Sequence, residues 1–182
     1  MTQLQRRLLE LPLVLMFVWF FHSFEISIFE LPYGTGSVQL IPVLITYFSL
    51  TRSWGQLTIL AFGFGLIGAF TTGVPLGIYL AACVWTGLLT RALVSEFALE
   101  GRRSFMFMVF SSHLFNKSLI WFLLRIYNLQ PPLMASVSRG LLSAICIGIL
   151  GYLIFPILLR WDEFFEHAPY ESRDINPGFL RS

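Results

Sequence analysis

The stretch LMASVSRGLLSAICIGILGYLIFPILLR, residues 133–160, decides the fold class. Between Arg139 and Arg160 it contains no charged residue. An α-helix needs about 20 apolar residues to cross the hydrocarbon core of a bilayer, and only helices or closed barrels satisfy their backbone hydrogen bonds there. This stretch therefore predicts a membrane-spanning helix.

The composition of the whole chain extends that interpretation. Of its 182 residues, 56% are hydrophobic and 12% are charged, whereas about a quarter of a soluble domain is charged. The formal net charge of +2 is too small for an extended nucleic-acid-binding surface. Cys83 and Cys146 fall inside apolar runs and are interpreted as packing residues. We predict one polytopic membrane domain over residues 1–160 and a polar cytoplasmic tail over residues 161–182.

The apolar runs predict an all-α bundle of six transmembrane helices. The predicted spans are residues 11–31, 38–51, 55–72, 75–95, 104–127 and 133–160. The first run is too long and too bulky for a signal peptide, so we expect it to be retained. The break at residues 52–55 predicts a tight helical hairpin, and a re-entrant pair is the alternative.

Basic residues lie in every second connection between the predicted spans. These residues are Arg6, Arg7, Arg52, Arg102, Arg103 and Arg160. The three opposite connections, around residues 31–37, 72–74 and 128–132, contain no Lys or Arg. Basic residues near span ends stay on the cytoplasmic side during insertion, so the pattern predicts that both termini are cytoplasmic.

Small residues follow one another through the third span and the turn after it. They are Gly63, Gly65, Gly68, Gly73 and Gly77. Such a stretch lets another helix approach closely. Packing within the chain is the favoured interpretation, and a partner-binding seam is the alternative. Pro75, together with Gly73, marks the end of a helix.

His113, Asn116 and Lys117 lie on one face of the fifth predicted span, at i, i+3 and i+4. Lys117, the only lysine, needs a partner, water or a neutral amine near the bilayer centre. An interhelical polar network is the favoured interpretation, and a proton or substrate path is the alternative. Glu25 and Arg139 lie at similar predicted depths, and we predict an ion pair between them.

The sequence contains no motif that requires enzyme chemistry. It has no nucleophile elbow, no P-loop and no helical pair of histidines at metal-ligand spacing. His22 near Glu25 supplies too few ligands for a metal site. We therefore predict no catalytic residue, no cofactor and no metal. A membrane enzyme that uses Lys117, His113 and Glu25 is the least favoured class.

Residues 22–94 resemble the MreD family, the small bacterial membrane proteins of rod-shape determination. The matching segments are Tyr47-Phe48-Ser49-Leu50-Thr51-Arg52 at the basic hairpin, and Gly63-Phe64-Gly65-Leu66 leading to Thr72-Gly73-Val74-Pro75-Leu76-Gly77. The chain departs from the family at Ala69, where an Asp is common, and at Val38-Gln39, where Pro-Asp is common. The last two spans are similar only in hydropathy and position.

The resemblance implies a non-enzymatic scaffold of the cell-elongation and peptidoglycan-synthesis machinery in the bacterial cytoplasmic (inner) membrane. It implies an MreC-like partner and, through it, an MreB-like filament, a RodA-type glycosyltransferase and a class B penicillin-binding transpeptidase. The candidate partner-binding or structural residues are Glu25, Gly73, Pro75, Gly77, His113, Asn116, Lys117 and Arg139. MreD-like proteins are similar in fold to the substrate-binding subunits of energy-coupling-factor transporters. A vitamin-binding subunit with Glu25, Arg139 or His113 in its pocket is therefore the alternative function.

Overall fold

The computed structural model describes residue 10 and residues 12–20, 39–96, 101–129 and 133–164, except the side chains of residues 71, 95, 96, 133–139 and 164. Every regular element within this part of the chain is an α-helix, which confirms the predicted all-α class. The helices are α1 (residues 12–20), α2 (Ile41–Thr51), α3 (Trp54–Thr72), α4 (Leu76–Glu96), α5 (Gly101–Ile126) and α6 (Leu133–Phe164).

Among the described residues, three helical segments are long and apolar enough to cross a membrane. They are Leu76–Val94 in α4, Gly101–Ile126 in α5 and Gly140–Glu163 in α6. Large apolar side chains also face outward: Phe70 is 82% exposed and Phe107 is 68% exposed. Extensive exposed apolar surface is unusual for a soluble monomer and marks a membrane or protein contact. Together these features indicate a membrane protein.

Local sequence signals account for the helix ends. Pro42 lies in the first turn of α2, where its missing N–H costs no hydrogen bond. Ser53 and Gln56 form a capping box at the start of α3. Gly73 ends α3 in the left-handed conformation, with φ of 68°, which glycine adopts without strain. Asn128 takes a similar conformation, with φ of 57°, just after α5.

Helices that follow one another along the chain alternate in direction. At the start of α4, Tyr79 donates a hydrogen bond to Gln39, which lies just before α2. Near the end of α4, Arg91 donates to the carbonyl oxygen of Ser49, near the end of α2. Helices α2 and α4 therefore run in the same direction. Analogous contacts orient the other helices: α6 runs with α2 and α4, whereas α1, α3 and α5 run oppositely. We call the two ends the Arg52 end and the Gly73 end.

Helix α2 forms the centre of the bundle. All residues from Ile41 to Leu50 are buried, and α2 contacts α3, α4, α5 and α6. Its 11 residues extend about 16 Å at 1.5 Å per residue, less than the hydrocarbon thickness of about 30 Å. A helix that is largely apolar on every side is buried either in a protein core or in a membrane, and α2 is buried by its neighbouring helices.

The helix bounds differ from the predicted spans at several ends. Helix α5 begins at Gly101, where the predicted span began at residue 104, and α6 continues to Phe164. Residues 161–164, the first residues of the predicted polar tail, are therefore helical and extend the last helix. Only residues 12–20 of the predicted first span 11–31 are described as helix.

Candidate functional site

A buried ion cluster closes the Arg52 end of the bundle. Arg52, the residue that ends α2, forms ion pairs with Glu10, just before α1, and with Asp162, near the end of α6. The Arg52 side chain is 3% exposed. Burying a charge is costly unless it is paired and hydrogen-bonded. The guanidinium of Arg52 meets this requirement because it pairs with both carboxylates. We call Arg52, Glu10, Asp162 and Tyr47 the arginine clasp.

Tyr47 completes the clasp from inside α2. Its hydroxyl lies 2.7 Å from Oδ2 of Asp162 and 2.9 Å from the carbonyl oxygen of Leu158, and its single O–H hydrogen can be donated to either. Arg52 donates to the other oxygen, Oδ1, of Asp162. Both oxygens of this carboxylate are therefore engaged, and the last turns of α6 are fixed against α2.

The charge on Arg52 is stabilised by its surroundings. Burial by itself lowers the pKa of Arg52. The negative charge of Asp162 and its hydrogen bond raise the pKa, and Glu10 raises it further in the same two ways. The net result is a pKa above the ordinary value for arginine. The guanidinium also lies 5.3 Å from the centre of the Phe48 ring, a cation–π contact. Arg52 is therefore a permanent cation inside the clasp.

A second arginine completes the hydrogen bonding at the end of α2. The last carbonyl groups of a helix have no partner within it. Nη1 of Arg91, on α4, donates to the carbonyl oxygens of Ser49 at 2.8 Å and Leu50 at 3.2 Å. The Ser49 hydroxyl lies 3.2 Å from the carbonyl oxygen of Gly87, also on α4. The short central helix is thereby anchored to α4.

Helix α5 is the centre of a polar network deeper in the bundle. Its polar side chains pair with three neighbouring helices. The pairs are Ser112 with Thr46 of α2 at 2.7 Å, Asn116 with Thr86 of α4 at 3.1 Å, and His113 with Ser143 of α6 at 2.9 Å. Small hydroxyl and amide side chains commonly bridge helices in membranes in this way.

The structure brings together the three polar residues predicted on one face of α5, but they point to different neighbours. His113 contacts α6 and Asn116 contacts α4, and both are buried. Lys117, one turn after His113 on the same helix, is partly buried. Nδ1 of His113 is buried and has no hydrogen-bond partner within the described part of the chain.

The small-residue stretch divides into a packed part and an open part. An added Cβ at Gly63 meets Leu15 of α1, and at Gly65 it meets Leu80 of α4 with 3.0 Å to Cα. At Gly68 it meets the ring of Tyr79. These three glycines are used for packing within the chain. At Gly73 and Gly77, by contrast, an added Cβ meets nothing within 4 Å, and Pro75 between them is exposed.

Some predicted site residues fall outside the described part of the chain. Glu25 and His22 lie in the segment 21–38, and the side chain of Arg139 is likewise not described. The predicted ion pair between Glu25 and Arg139 therefore stays a prediction. Within the described residues, no three His, Cys, Asp or Glu side chains come together as a metal site would require.

Most of the clasp, and four of the six side chains of the polar network, were not identified from the sequence. From the sequence, Arg52 is interpreted as a topology marker and as the end of the basic hairpin segment, and Asp162 as a residue of the polar tail. Glu10 is not singled out, and Tyr47 enters only as the first residue of that hairpin segment. One signal was available for Glu10, because a carboxylate at the start of an apolar run is costly without a partner. The hydroxyl groups of Thr46, Thr86, Ser112 and Ser143 occur at scattered positions, so their sequence spacing gives no such signal.

Comparison of the chain with protein-family models, curated protein sequences and solved structures gives no match.

Proposed function

We propose that the protein crosses the bacterial cytoplasmic membrane six times and acts as a non-enzymatic scaffold of the cell-elongation machinery, holding an MreC-like partner. The main support is the way its interior polar groups are used. The clasp, the Arg91 contacts and the α5 network join α2 to α1, α4, α5 and α6. These contacts favour a rigid bundle, and a scaffold must present its partner surface in a fixed geometry.

The alternating helix directions and the arginine distribution support six crossings with cytoplasmic termini. Arg52, Arg102, Arg103 and Arg160 all lie at or near the Arg52 end. At the Gly73 end, Arg125 lies in the last turn of α5, with its guanidinium 5.3 Å from the centre of the Trp121 ring. The basic residues are thus concentrated at one end, which the positive-inside rule assigns to the cytoplasm.

Site-directed labelling tests this topology. In a chain without native cysteines, Leu129→Cys at the Gly73 end and Arg103→Cys at the Arg52 end each place a thiol at an exposed position. A membrane-impermeant maleimide added to intact spheroplasts is expected to label the first variant and not the second, whereas both react after lysis. Labelling of Arg103→Cys in intact spheroplasts would contradict cytoplasmic exposure of the Arg52 end.

The turn between α3 and α4 offers a partner surface. Phe70 and Leu76 are exposed large apolar residues there, 82% and 45% exposed, and Gly73, Pro75 and Gly77 leave open space beside them. An apolar surface with small residues suits close approach of a partner helix. We assign the contact with the single-span MreC-like partner to this turn surface, defined by Phe70, Gly73, Pro75, Leu76 and Gly77.

A side chain added at Gly77 should disturb partner binding without disturbing the fold. Gly77→Leu places a bulky group where nothing lies within 4 Å of the added Cβ in the isolated chain. A close-packed partner would have to move, at a cost of about 1–3 kcal/mol. We therefore expect about a tenfold loss of MreC-like partner captured by the tagged, co-expressed protein.

Gly55→Leu is the matched control for this experiment. Gly55 is the second residue of α3, as Gly77 is of α4; it also has open space around its Cβ position, but it lies at the Arg52 end. The control should capture as much partner as the wild type. If Gly77→Leu and Gly55→Leu lose partner capture equally, the turn surface is not the site of partner contact. Failure of the wild type to capture the partner, with normal rod shape after deletion of its gene, would overturn the scaffold proposal.

The substrate-binding alternative has one observation in its favour. Nδ1 of His113 is buried beside the Ser143 contact and lacks a partner among the described residues, so a polar ligand group could bind it. A small molecule released on denaturing the purified protein, and lost in His113→Leu, would favour this second function. Mass spectrometry of the released material measures it.

A further inference from the structure

A narrow apolar cavity lies between α1, α2 and α6, and we call it the lateral slot. Its volume is about 280 Å³. Leu44 and Phe48 of α2, with Leu40 just before it, form the inner wall of the slot. Phe17 of α1 and Ile157 of α6 lie on its outer side. Because these two residues are 40% and 63% exposed, the slot is continuous with the outer surface of the bundle. In a membrane, the slot would therefore open laterally toward the lipid acyl chains.

The lining of the slot determines which kind of occupant it suits. Every side chain that lines it, from α1, from the segment 40–48 and from α6, is aliphatic or aromatic. A slot of about 280 Å³ with such a lining accommodates an unbranched alkyl chain, the part of a phospholipid that carries no polar group.

A positive charge lies beside the outer rim of the slot. Arg160 is exposed and follows Ile157 by three residues, which places both on one flank of α6. Within the described residues Arg160 has no ion pair, because Asp162 pairs with Arg52 instead. Trp161, which also lines the slot, is of the residue type that lies at the level of lipid headgroups. The slot thus combines an apolar channel with an interfacial cation.

We propose that the lateral slot binds one acyl chain of an anionic phospholipid, whose phosphate lies against Arg160. An acyl chain that moves from the bilayer into the slot stays in apolar surroundings, so its transfer costs little. The guanidinium of Arg160 attracts the anionic headgroup from the cytoplasmic leaflet. The bound lipid fills space that α1, α2 and α6 leave open and so holds α1 against the bundle. The proposal requires a membrane location but does not depend on the scaffold function.

Native mass spectrometry of the protein tests this proposal. The full chain is reconstituted in bilayers with equal amounts of phosphatidylglycerol and phosphatidylcholine, extracted in mild detergent, and its retained lipids are counted. The wild type is expected to retain one phosphatidylglycerol. Arg160→Gln should lower that retention about fivefold, because one basic residue near an anionic headgroup contributes about 1 kcal/mol. Ile157→Trp, which obstructs the outer side of the slot, should lower retention of both lipids.

Two control variants make the result specific to the slot. Arg103→Gln removes an exposed arginine at the same end on α5, and Phe62→Trp enlarges an exposed side chain on α3; both should retain lipid as the wild type does.

Equal retention of the two lipids by the wild type would overturn the headgroup assignment, as would equal retention by Arg160→Gln and Arg103→Gln. Unchanged retention in a folded Ile157→Trp variant would overturn the slot. If that variant does not fold, Phe17→Trp, which enlarges the exposed side chain on the α1 side of the slot, tests the slot in its place.

Discussion

Replacing Arg52 with glutamine is expected to destabilise the protein by about 3–5 kcal/mol, the usual cost of leaving a buried ion pair with one partner missing. Glu10 and Asp162 are 8% and 15% exposed as side chains, and Arg52 pairs with both. Without the guanidinium, two carboxylates remain close together without a cation. The free energy of unfolding in detergent micelles, followed by circular dichroism during titration with a denaturing detergent, measures the effect.

Arg103→Gln is the matched control for the clasp. Arg103 is exposed near the start of α5, and substitutions at such positions usually change stability by less than about 0.5 kcal/mol. A double-mutant cycle of Arg52→Gln with Asp162→Asn should also show coupling, because each single variant disrupts the same contact. An effect of Arg52→Gln no larger than that of Arg103→Gln would show that the clasp does not stabilise the fold.

The helices of this protein were predictable because their signals are local. Apolar runs between Pro, Gly and Arg breaks identified the segments that become α2 to α6, and Gly73 marked the end of α3 through its left-handed conformation. The periodicity of a helix likewise placed His113 and Asn116 on one face. Each of these inferences needs only residues within a few turns of one another.

The clasp was not predictable because its signal is distributed along the chain. Arg52 is 42 residues from Glu10 and 110 residues from Asp162. An arginine after a span is equally well explained as a topology marker, and an acidic residue after the last span as part of a solvated tail. Only the packing of α1, α2 and α6 brings the three charges together. The same limit applies to His113, since its spacing places it on a face but does not identify α6 as its neighbour.

The packed glycines show how a correct local signal leaves the contact undetermined. Small residues predicted close approach to another helix, yet Gly63 faces α1 while Gly65 and Gly68 face α4. Gly73 and Gly77 belong to the same sequence stretch and are open. The stretch therefore combines the two interpretations that the sequence left as alternatives: its first part packs the bundle, and its second part forms the turn surface assigned to a partner.

Gly68→Leu is expected to produce the second large effect, a destabilisation at the upper end of the range of about 1–3 kcal/mol that overpacking usually costs. An added Cβ at Gly68 would overlap the phenolic end of the Tyr79 side chain. That ring is 2% exposed and its hydroxyl donates to Gln39 at 3.3 Å, so it has no open space to move into. Helices α3 and α4 must separate instead, and unfolding in detergent micelles should report the lost contact.

Two further variants distinguish overpacking from a general effect of changing glycine. Gly77→Ala, in the open turn surface, should leave stability unchanged or slightly raised, since alanine is the better helix former and nothing obstructs its Cβ. Adding Tyr79→Ala to Gly68→Leu should restore part of the lost stability, because the smaller side chain leaves room for the leucine. If the second substitution only adds to the damage, the close approach of α3 and α4 at Gly68 is not what limits stability there.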